Sequence, residues 1–154
     1  MSNLLHTTYP LDTELALSIA QNQRSQAEPY SDHRVPEGMS DWLICHDHSD
    51  YVSEVIRDIG LECKPRFYYM AENFNLPEHI DNGTRCSLNF ILSDNIAPVT
   101  IGGEDYWYTQ ALLNTSVMHG VKNSGTERIL LKLSIFDMDF EQVSNHLKLK
   151  GYAQ

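Results

Sequence analysis

Residues 76–92 read LPEHIDNGTRCSLNFIL, and the interpretation of the chain begins from this stretch. It places His79 and Asp81 one residue apart, and the side chains of an extended strand alternate between its two faces, so both are expected on one side. A second histidine, His119, ends the strand-like segment TSVMH over residues 115–119. Two imidazoles and one carboxylate on one side of an octahedral metal ion leave the opposite positions open to other ligands. The sequence therefore predicts a metal site built from these three side chains.

Arg128 lies nine residues after His119 and begins a long predicted strand. The run that follows it, residues 129–136, is strongly apolar, which indicates that Arg128 enters a buried strand. A buried guanidinium needs an anionic partner, and its planar group can hold a carboxylate by two parallel hydrogen bonds. The alternative is a surface arginine that pairs with Glu127 or Glu104.

On these residues the chain resembles the Fe(II)- and 2-oxoglutarate-dependent oxygenases, whose pattern is His-x-Asp, then His, then Arg. The resemblance covers roughly the second half of the chain, and residues 79–92 are most similar to the prolyl hydroxylase and aspartyl/asparaginyl hydroxylase branches. It implies that His79, Asp81 and His119 are the catalytic iron ligands and that Arg128 binds the far carboxylate of the cosubstrate 2-oxoglutarate. It also implies O2-dependent hydroxylation of an amino-acid side chain in a peptide, a protein or a free amino acid, with release of succinate and CO2.

Other cavity-facing candidates rest on strand parity and on the same resemblance. Tyr68 lies eleven residues before His79, near where relatives place a polar contact to 2-oxoglutarate, although it could equally be a core aromatic. Asn89 and Arg85 share one face of a predicted strand over residues 85–92. If that face lines the barrel, Asn89 binds the cosubstrate and Arg85 contacts cosubstrate or substrate; the opposite parity remains open.

Trp107 is a candidate substrate contact at the mouth of the barrel, with core packing as the alternative. The interval between Asp81 and His119 is too short for a long inserted lid, which favours an open mouth and a peptide or protein substrate. A second cluster of possible ligands, CHDHSD over residues 45–50, is interpreted instead as a solvated loop before a helix.

The predicted fold is mainly β. Short strands separated by turn signals at intervals of about ten residues, flanked by two or three helices, favour an antiparallel sandwich or barrel. The resemblance implies a double-stranded β-helix, the jelly roll or cupin-like fold. We expect one domain over residues 1–154, with a catalytic β-helix core at about 61–136, an N-terminal helical part at about 11–60 and a C-terminal helix at about 139–150.

Composition excludes some functions. A formal net charge of -10 argues against nucleic acid as a partner and suits a protein that meets a basic peptide. The three cysteines have no metal-type spacing and predict free thiols. The start of the chain has no signal-like pattern and no apolar run is long enough for a membrane, so a cytoplasmic protein is expected; the oligomeric state stays open.

Two other classes of function remain as alternatives to the oxygenase. One is a cupin-like module that binds a metal or small anion without oxygenase activity, and the other is a structural or interaction domain without a metal. Arg128 separates them from the oxygenase, because neither needs a buried cation at that spacing.

Overall fold

The computed structural model describes residues 2–29, 42–81, 83–95 and 97–154. Within these ranges, the helices are α1 (Thr13–Gln23), a 3-10 turn (Arg24–Gln26), α2 (Asp50–Ile59) and α3 (Phe140–Leu149). The strands are β1 (Leu4–His6), β2 (Glu28–Pro29), β3 (Trp42–His46), β4 (Lys64–Met70), β5 (Asn75–His79), β6 (Cys86–Ile91), β7 (Val99–Ile101), β8 (Glu104–Tyr106), β9 (Gln110–Leu113), β10 (His119–Lys122) and β11 (Arg128–Ile135). None of the described helices is long and apolar enough to span a membrane.

The strands form two antiparallel sheets. One sheet has the order β1-β9-β6-β11-β4-β3-β2, and the other has the order β5-β10-β7-β8. This is the double-stranded β-helix arrangement of jelly-roll and cupin-like proteins, so the predicted fold class is confirmed. The large sheet also takes strands β1, β2 and β3 from outside the range 61–136.

The helix ends carry capping signals that can be recognised in the sequence. Asp12 caps α1, Ser49 caps α2, and Asp139 caps α3 in a reciprocal capping box with Gln142. Gly60 ends α2 with a φ of 77°, in the left-handed region that favours glycine. These signals are local, which is why they could be identified without knowledge of the sheets.

Strand β11 lies between β6 and β4 and separates two apolar layers. Its odd-numbered residues, such as Leu131 and Leu133, belong to the core that packs against the helices. Its even-numbered residues face the second sheet, and Leu130 belongs to the apolar cluster there. Because side chains alternate, the face that begins with Arg128 is directed into the space between the sheets.

Two local sequence signals are misleading. Pro98 cannot donate a hydrogen bond, which predicts that the strand around residues 97–101 lies at a sheet edge. This prediction is wrong, because β7 begins after the proline and pairs with both β10 and β8. The polar run over residues 25–40 predicts a loop, but its described part contains the end of the 3-10 turn and β2; residues 30–40 lie outside the described residues.

Candidate metal centre and cavity

The two histidines predicted as metal ligands face each other across a strand pair. β5 and β10 are antiparallel, and His79 and His119 are directly opposed in their register. Their ring centroids are 4.5 Å apart, and both side chains are buried. The strand pairing therefore joins two parts of the chain that are far apart in sequence.

Asp81 completes the group just after β5 ends. Its Oδ1 lies 3.1 Å from Nε2 of His79 and 3.2 Å from Nε2 of His119. One ligand atom from each residue lies within 4.8 Å of the others. Among the described residues, these three form the one group of at least three His, Cys, Asp or Glu side chains that could hold a metal ion. The structure thus brings together the three residues that the sequence singled out.

The imidazole orientations fit a metal ion. The Nδ1 atoms of His79 and His119 lie 2.8 Å from the carbonyl oxygens of Pro77 and Val117. A carbonyl only accepts, so each Nδ1 carries the hydrogen, and the Nε2 atom of each ring is directed towards Asp81. An Nε2 atom that carries a proton can donate to the carboxylate; without that proton its lone pair faces the carboxylate oxygen, and a metal cation between them removes the repulsion. This donor set suits a divalent transition metal such as Fe(II).

Asp81 is held in its ionised form. Burial alone raises the pKa of this carboxyl group, but the contacts with His119 and His79 and the charge of Lys132 outweigh burial and hold the pKa well below its usual range. The Nζ atom of Lys132 lies 3.1 Å from Oδ2, the oxygen that does not face the histidines. One carboxylate oxygen therefore remains directed at the metal position.

Gly120 allows the close approach of β5 to β10. A Cβ atom on this residue would lie 2.6 Å from the carbonyl oxygen of Leu76 and 2.9 Å from the amide nitrogen of Glu78. The register also shifts between His119 and Val121, which indicates a bulge at this glycine. The close approach of His79 and His119 therefore requires glycine at position 120, next to His119.

The three side chains lie in a cavity of about 270 Å³ between the two sheets. Both sheets and the connecting loops contribute to its wall. Its lining includes Tyr68, Asn89, Tyr108, Arg128, Leu130 and Lys132. The predicted barrel interior is therefore a mixed polar and apolar chamber.

Arg128 is a buried cation in this cavity, with 1% of its surface exposed. Its Nη1 donates to Oδ1 of Asn95 at 2.9 Å and to the carbonyl of Ala97 at 2.6 Å, and its Nη2 donates to the hydroxyl of Tyr108 at 3.4 Å. Its Nε has no partner in the part of the chain that is described. Within the described ranges, this guanidinium contacts only neutral groups.

The surface alternative for Arg128 does not hold. Glu127 pairs with Arg24, and Glu104 accepts a hydrogen bond from the hydroxyl of Tyr106. Among the described residues, no carboxylate lies within 4.0 Å of the Arg128 guanidinium. A buried guanidinium without an anion is costly, so the cavity is suited to an anionic ligand at this position.

The weaker candidates divide into two groups. Tyr68 and Asn89 line the cavity; Asn89 donates to the Tyr108 hydroxyl at 3.3 Å, and its buried Oδ1 has no partner among the described residues. Arg85 does not line the cavity, because β6 begins only at Cys86 and the strand alternation does not extend back to it. Its guanidinium is instead exposed and lies 3.9 Å from Asp139.

Trp107 does not pack in the core. Its side chain is 62% exposed in the connection between β8 and β9, and it is not part of the cavity lining, so the contact with substrate at the mouth stays a prediction. Its neighbour Tyr108 lines the cavity.

The histidine-rich loop before α2 has a structural role for its aspartate. His46, His48 and Asp50 are exposed, as expected of a solvated loop before a helix, but Asp47 is only 4% exposed. Its carboxylate accepts from Nε2 of Gln23 at 3.0 Å and from the hydroxyl of Ser49 at 2.9 Å. The side chain therefore supports the residue that caps α2.

Three residues around the candidate site were missed in the sequence. Lys132 follows Arg128 by four positions on one strand, and this even spacing could have placed it on the same face. Tyr108 and Asn95 lie in connections between strands, where no periodic signal exists. Their positions follow only from the packing of the two sheets.

Comparisons with known proteins support the fold. No known family model matches the sequence, and no curated protein resembles it in sequence. A Pseudomonas putida prolyl-4-hydroxylase is similar in structure with a TM-score of 0.63 and 13% identity, over 86% of this chain and 92% of that chain. At this identity the likeness concerns the fold alone, which is of the cupin and 2-oxoglutarate oxygenase type.

Other solved structures are more distant. Salicylate 1,2-dioxygenase from Pseudoaminobacter salicylatoxidans matches with a TM-score of 0.48 and 12% identity over 79% of this chain. The chain spans 31% of the length of that protein. An RmlC-like cupin from Desulfovibrio desulfuricans matches with a TM-score of 0.44 and 13% identity, over 68% of this chain and 96% of that one.

Proposed function

We propose that the protein is an Fe(II)- and 2-oxoglutarate-dependent oxygenase that hydroxylates a C–H bond of an amino-acid side chain in a peptide, a protein or a free amino acid. One observation carries the proposal. The cavity that holds the His79, Asp81 and His119 cluster also holds Arg128, a buried cation with no carboxylate beside it among the described residues. A metal site and an unmatched guanidinium in one chamber fit a ligand that is both chelating and anionic.

The side chains have distinct roles in this proposal. His79, Asp81 and His119 would hold the iron, and the carbonyl groups that accept from the two Nδ1 atoms orient the rings. When iron, O2 and 2-oxoglutarate are bound, they supply the oxidising power for hydroxylation, and succinate and CO2 are released. Arg128 would bind the far carboxylate of 2-oxoglutarate.

Two uncharged cavity residues would help to position the cosubstrate. Asn89 has a free buried Oδ1 and an amide that donates to Tyr108, and the same hydroxyl accepts from Arg128. Tyr68 lies under the cationic ends of Arg66 and Lys132, with its ring centroid 5.7 Å and 5.5 Å from them. These contacts fix the walls of the chamber before any ligand enters.

A cupin-like module that binds a metal or small anion without oxidation is the other function considered. A module that binds only a metal requires the ligand cluster and has no need of a second buried group with the geometry to hold a carboxylate. The position of Arg128 on the cavity face of β11 therefore favours the oxygenase over that module, and production of succinate separates the oxygenase from a module that binds a small anion.

Conversion of 2-oxoglutarate to succinate tests the proposal. The protein would be incubated with Fe(II), 2-oxoglutarate and O2, with a panel of peptides and free amino acids, and succinate and hydroxylated product would be quantified. We expect succinate that depends on Fe(II) and rises with at least one panel member, and we expect its loss in His119→Ala. Absence of succinate from a protein shown to bind Fe(II) would contradict the assignment.

A further inference from the structure

The charge of the cavity is opposite to the charge of the chain. The chain has a formal net charge of -10, yet the cavity wall includes four permanently cationic side chains and one carboxylate, that of Asp81. The cations are Lys64, Arg66, Arg128 and Lys132. Such a lining concentrates anions, and it does not suit the basic peptide that the net charge alone suggested.

The four cations form two separate regions. Arg128 and Lys132 are four residues apart on β11, which is about 13 Å along a strand. In the register of β4 with β11, Arg66 is opposite Lys132, and Lys64 is opposite Ser134. Arg66, Lys64 and Lys132 therefore lie together, towards the end of the cavity away from Arg128.

Among the described residues, no carboxylate neutralises two of these cations. Lys132 is paired with Asp81, and the proposed function assigns Arg128 to the cosubstrate. Arg66 donates only to the neutral hydroxyl of Ser134, at 3.0 Å, and its Nε is buried without a partner in the described ranges. Lys64 likewise has no carboxylate within 4.0 Å among the residues that are described.

Ser87 adds a second unsatisfied group at the same end. It is completely buried, lines the cavity, and is opposite Ser134 in the register of β6 with β11. Its hydroxyl has no hydrogen-bond partner among the described residues. Buried polar groups are normally satisfied, so Ser87 and Arg66 together point to a polar ligand that reaches this wall.

We propose that the substrate carries a carboxylate that is bound by Arg66 and Lys64. This inference rests on the proposed function, because it takes Arg128 to be occupied by 2-oxoglutarate. Neighbouring strands are about 4.8 Å apart and Lys132 contacts the metal ligand Asp81, so a group bound at Arg66 lies within roughly 5–10 Å of Asp81. The substrate is thus an acidic side chain or a small organic acid whose reacting carbon lies a few bonds from its carboxylate.

The lowered pKa of a nearby histidine agrees with a positively charged region around Lys64 and Arg66. His46 is opposite Arg66 in the register of β3 with β4. Burial lowers its pKa, and the charges of Lys64 and Arg66 lower it further. A bound carboxylate would offset these charges.

Binding of a matched acid and amide tests the inference. The probes are N-acetyl-L-glutamate α-amide and N-acetyl-L-glutamine α-amide, which differ in one side-chain charge. Calorimetry would measure their binding to Zn(II)-loaded protein with 2-oxoglutarate present. We expect the acid to bind on the order of ten- to a hundredfold more tightly than the amide, which is the contribution of charge-assisted hydrogen bonds.

Four variants test the region formed by Lys64 and Arg66. Lys64→Gln changes an exposed residue at the start of β4 and should reduce the preference for the acid probe over the amide probe. The double variant Lys64→Gln with Arg66→Gln should remove that preference. Arg66→Lys keeps the charge and should retain part of the preference for the acid probe. A retained preference would show that its loss in the double variant is not caused by unfolding. Arg57→Gln, an exposed charge on α2, is the matched control and should change nothing.

The outcomes distinguish this inference from the proposed function. If Arg128→Gln loses 2-oxoglutarate binding but keeps the acid preference, both stand. If wild-type protein binds no 2-oxoglutarate yet prefers the acid through Arg66 and Lys64, the proposed function fails and the anion site remains. Equal binding of both probes, no binding of either, or a preference that survives the double variant would overturn the inference.

Discussion

Arg128→Met should make the metal-free protein more stable while it removes the response to 2-oxoglutarate. The guanidinium is 1% exposed and contacts only neutral groups among the described residues. A buried charge without a counter-charge costs several kcal/mol of desolvation. Methionine has a similar length, carries no charge and adapts to irregular gaps.

The magnitude follows from the contacts that are lost. Nη1 makes two hydrogen bonds, to Asn95 and to the Ala97 carbonyl, and each contributes about 0.5–1.5 kcal/mol. Oδ1 of Asn95 still accepts from the Ala97 amide at 3.0 Å after the change, so only the carbonyl needs a new partner. The balance is a gain of about 1–3 kcal/mol in the free energy of unfolding.

Chemical denaturation with and without ligand measures both effects. For Zn(II)-loaded wild type, 2-oxoglutarate at a hundred times its Kd should add about 2.7 kcal/mol, and the variant should gain far less at the same concentration. Leu130→Met, on the same cavity face, is the control and should retain the full response. An Arg128→Met protein that is less stable than wild type, yet still stabilised by 2-oxoglutarate, would refute this account of the residue.

Three further predictions concern Gly120 beside the metal ligands and two buried residues outside the cavity. Gly120→Ala should weaken Zn(II) affinity at least about tenfold, because its Cβ would collide with the Leu76 carbonyl and displace a ligand strand; unchanged affinity in a metal-competition titration would contradict this. Asp47→Ala should destabilise the protein by about 1–3 kcal/mol in urea, since Ser49 loses its partner, but should leave metal affinity unchanged. Burial raises the pKa of the Cys86 thiol to about 12. The contribution of this thiol to stability is therefore fully present below the pKa of the thiol in the unfolded chain, and it is lost as the pH rises towards 12. Cys86→Ala should flatten the fall in stability at alkaline pH, and identical pH profiles for the variant and wild type would argue against this.

Much of the fold is predictable from local signals. The caps at Asp12, Ser49 and Asp139 depend on a few neighbouring residues, and the helices begin where these residues predict. The order of the strands within the sheets depends on contacts between distant segments. For that reason residues 4–6 gave no indication that they pair with β9 at the edge of the large sheet.

The site was predictable where spacing alone places a side chain. His79 and Asp81 are separated by one residue, and Arg128 begins an apolar strand, so both features are visible in the sequence. Arg85 shows the limit of this reasoning, because parity holds only inside the strand, and β6 begins one residue later. Lys132 lies inside a strand and could have been assigned to the cavity by the rule that places Arg128.

The sign of the cavity charge could not be obtained from composition. Net charge sums over the whole surface, whereas the lining selects residues from both sheets through their register. Arg66 and Lys132 are far apart in sequence and become neighbours only when β4 pairs with β11. The substrate class therefore depends on tertiary structure.

Visible absorption of the anaerobic protein with Fe(II) and 2-oxoglutarate tests the central claim most directly. If the three ligands hold iron and Arg128 orients the cosubstrate for chelation, a metal-to-ligand charge-transfer band should appear in wild type. The band should be lost in His119→Ala, and in Arg128→Gln it should require much higher 2-oxoglutarate. No band in an iron-loaded wild-type protein, or the same band in His119→Ala, would contradict the account.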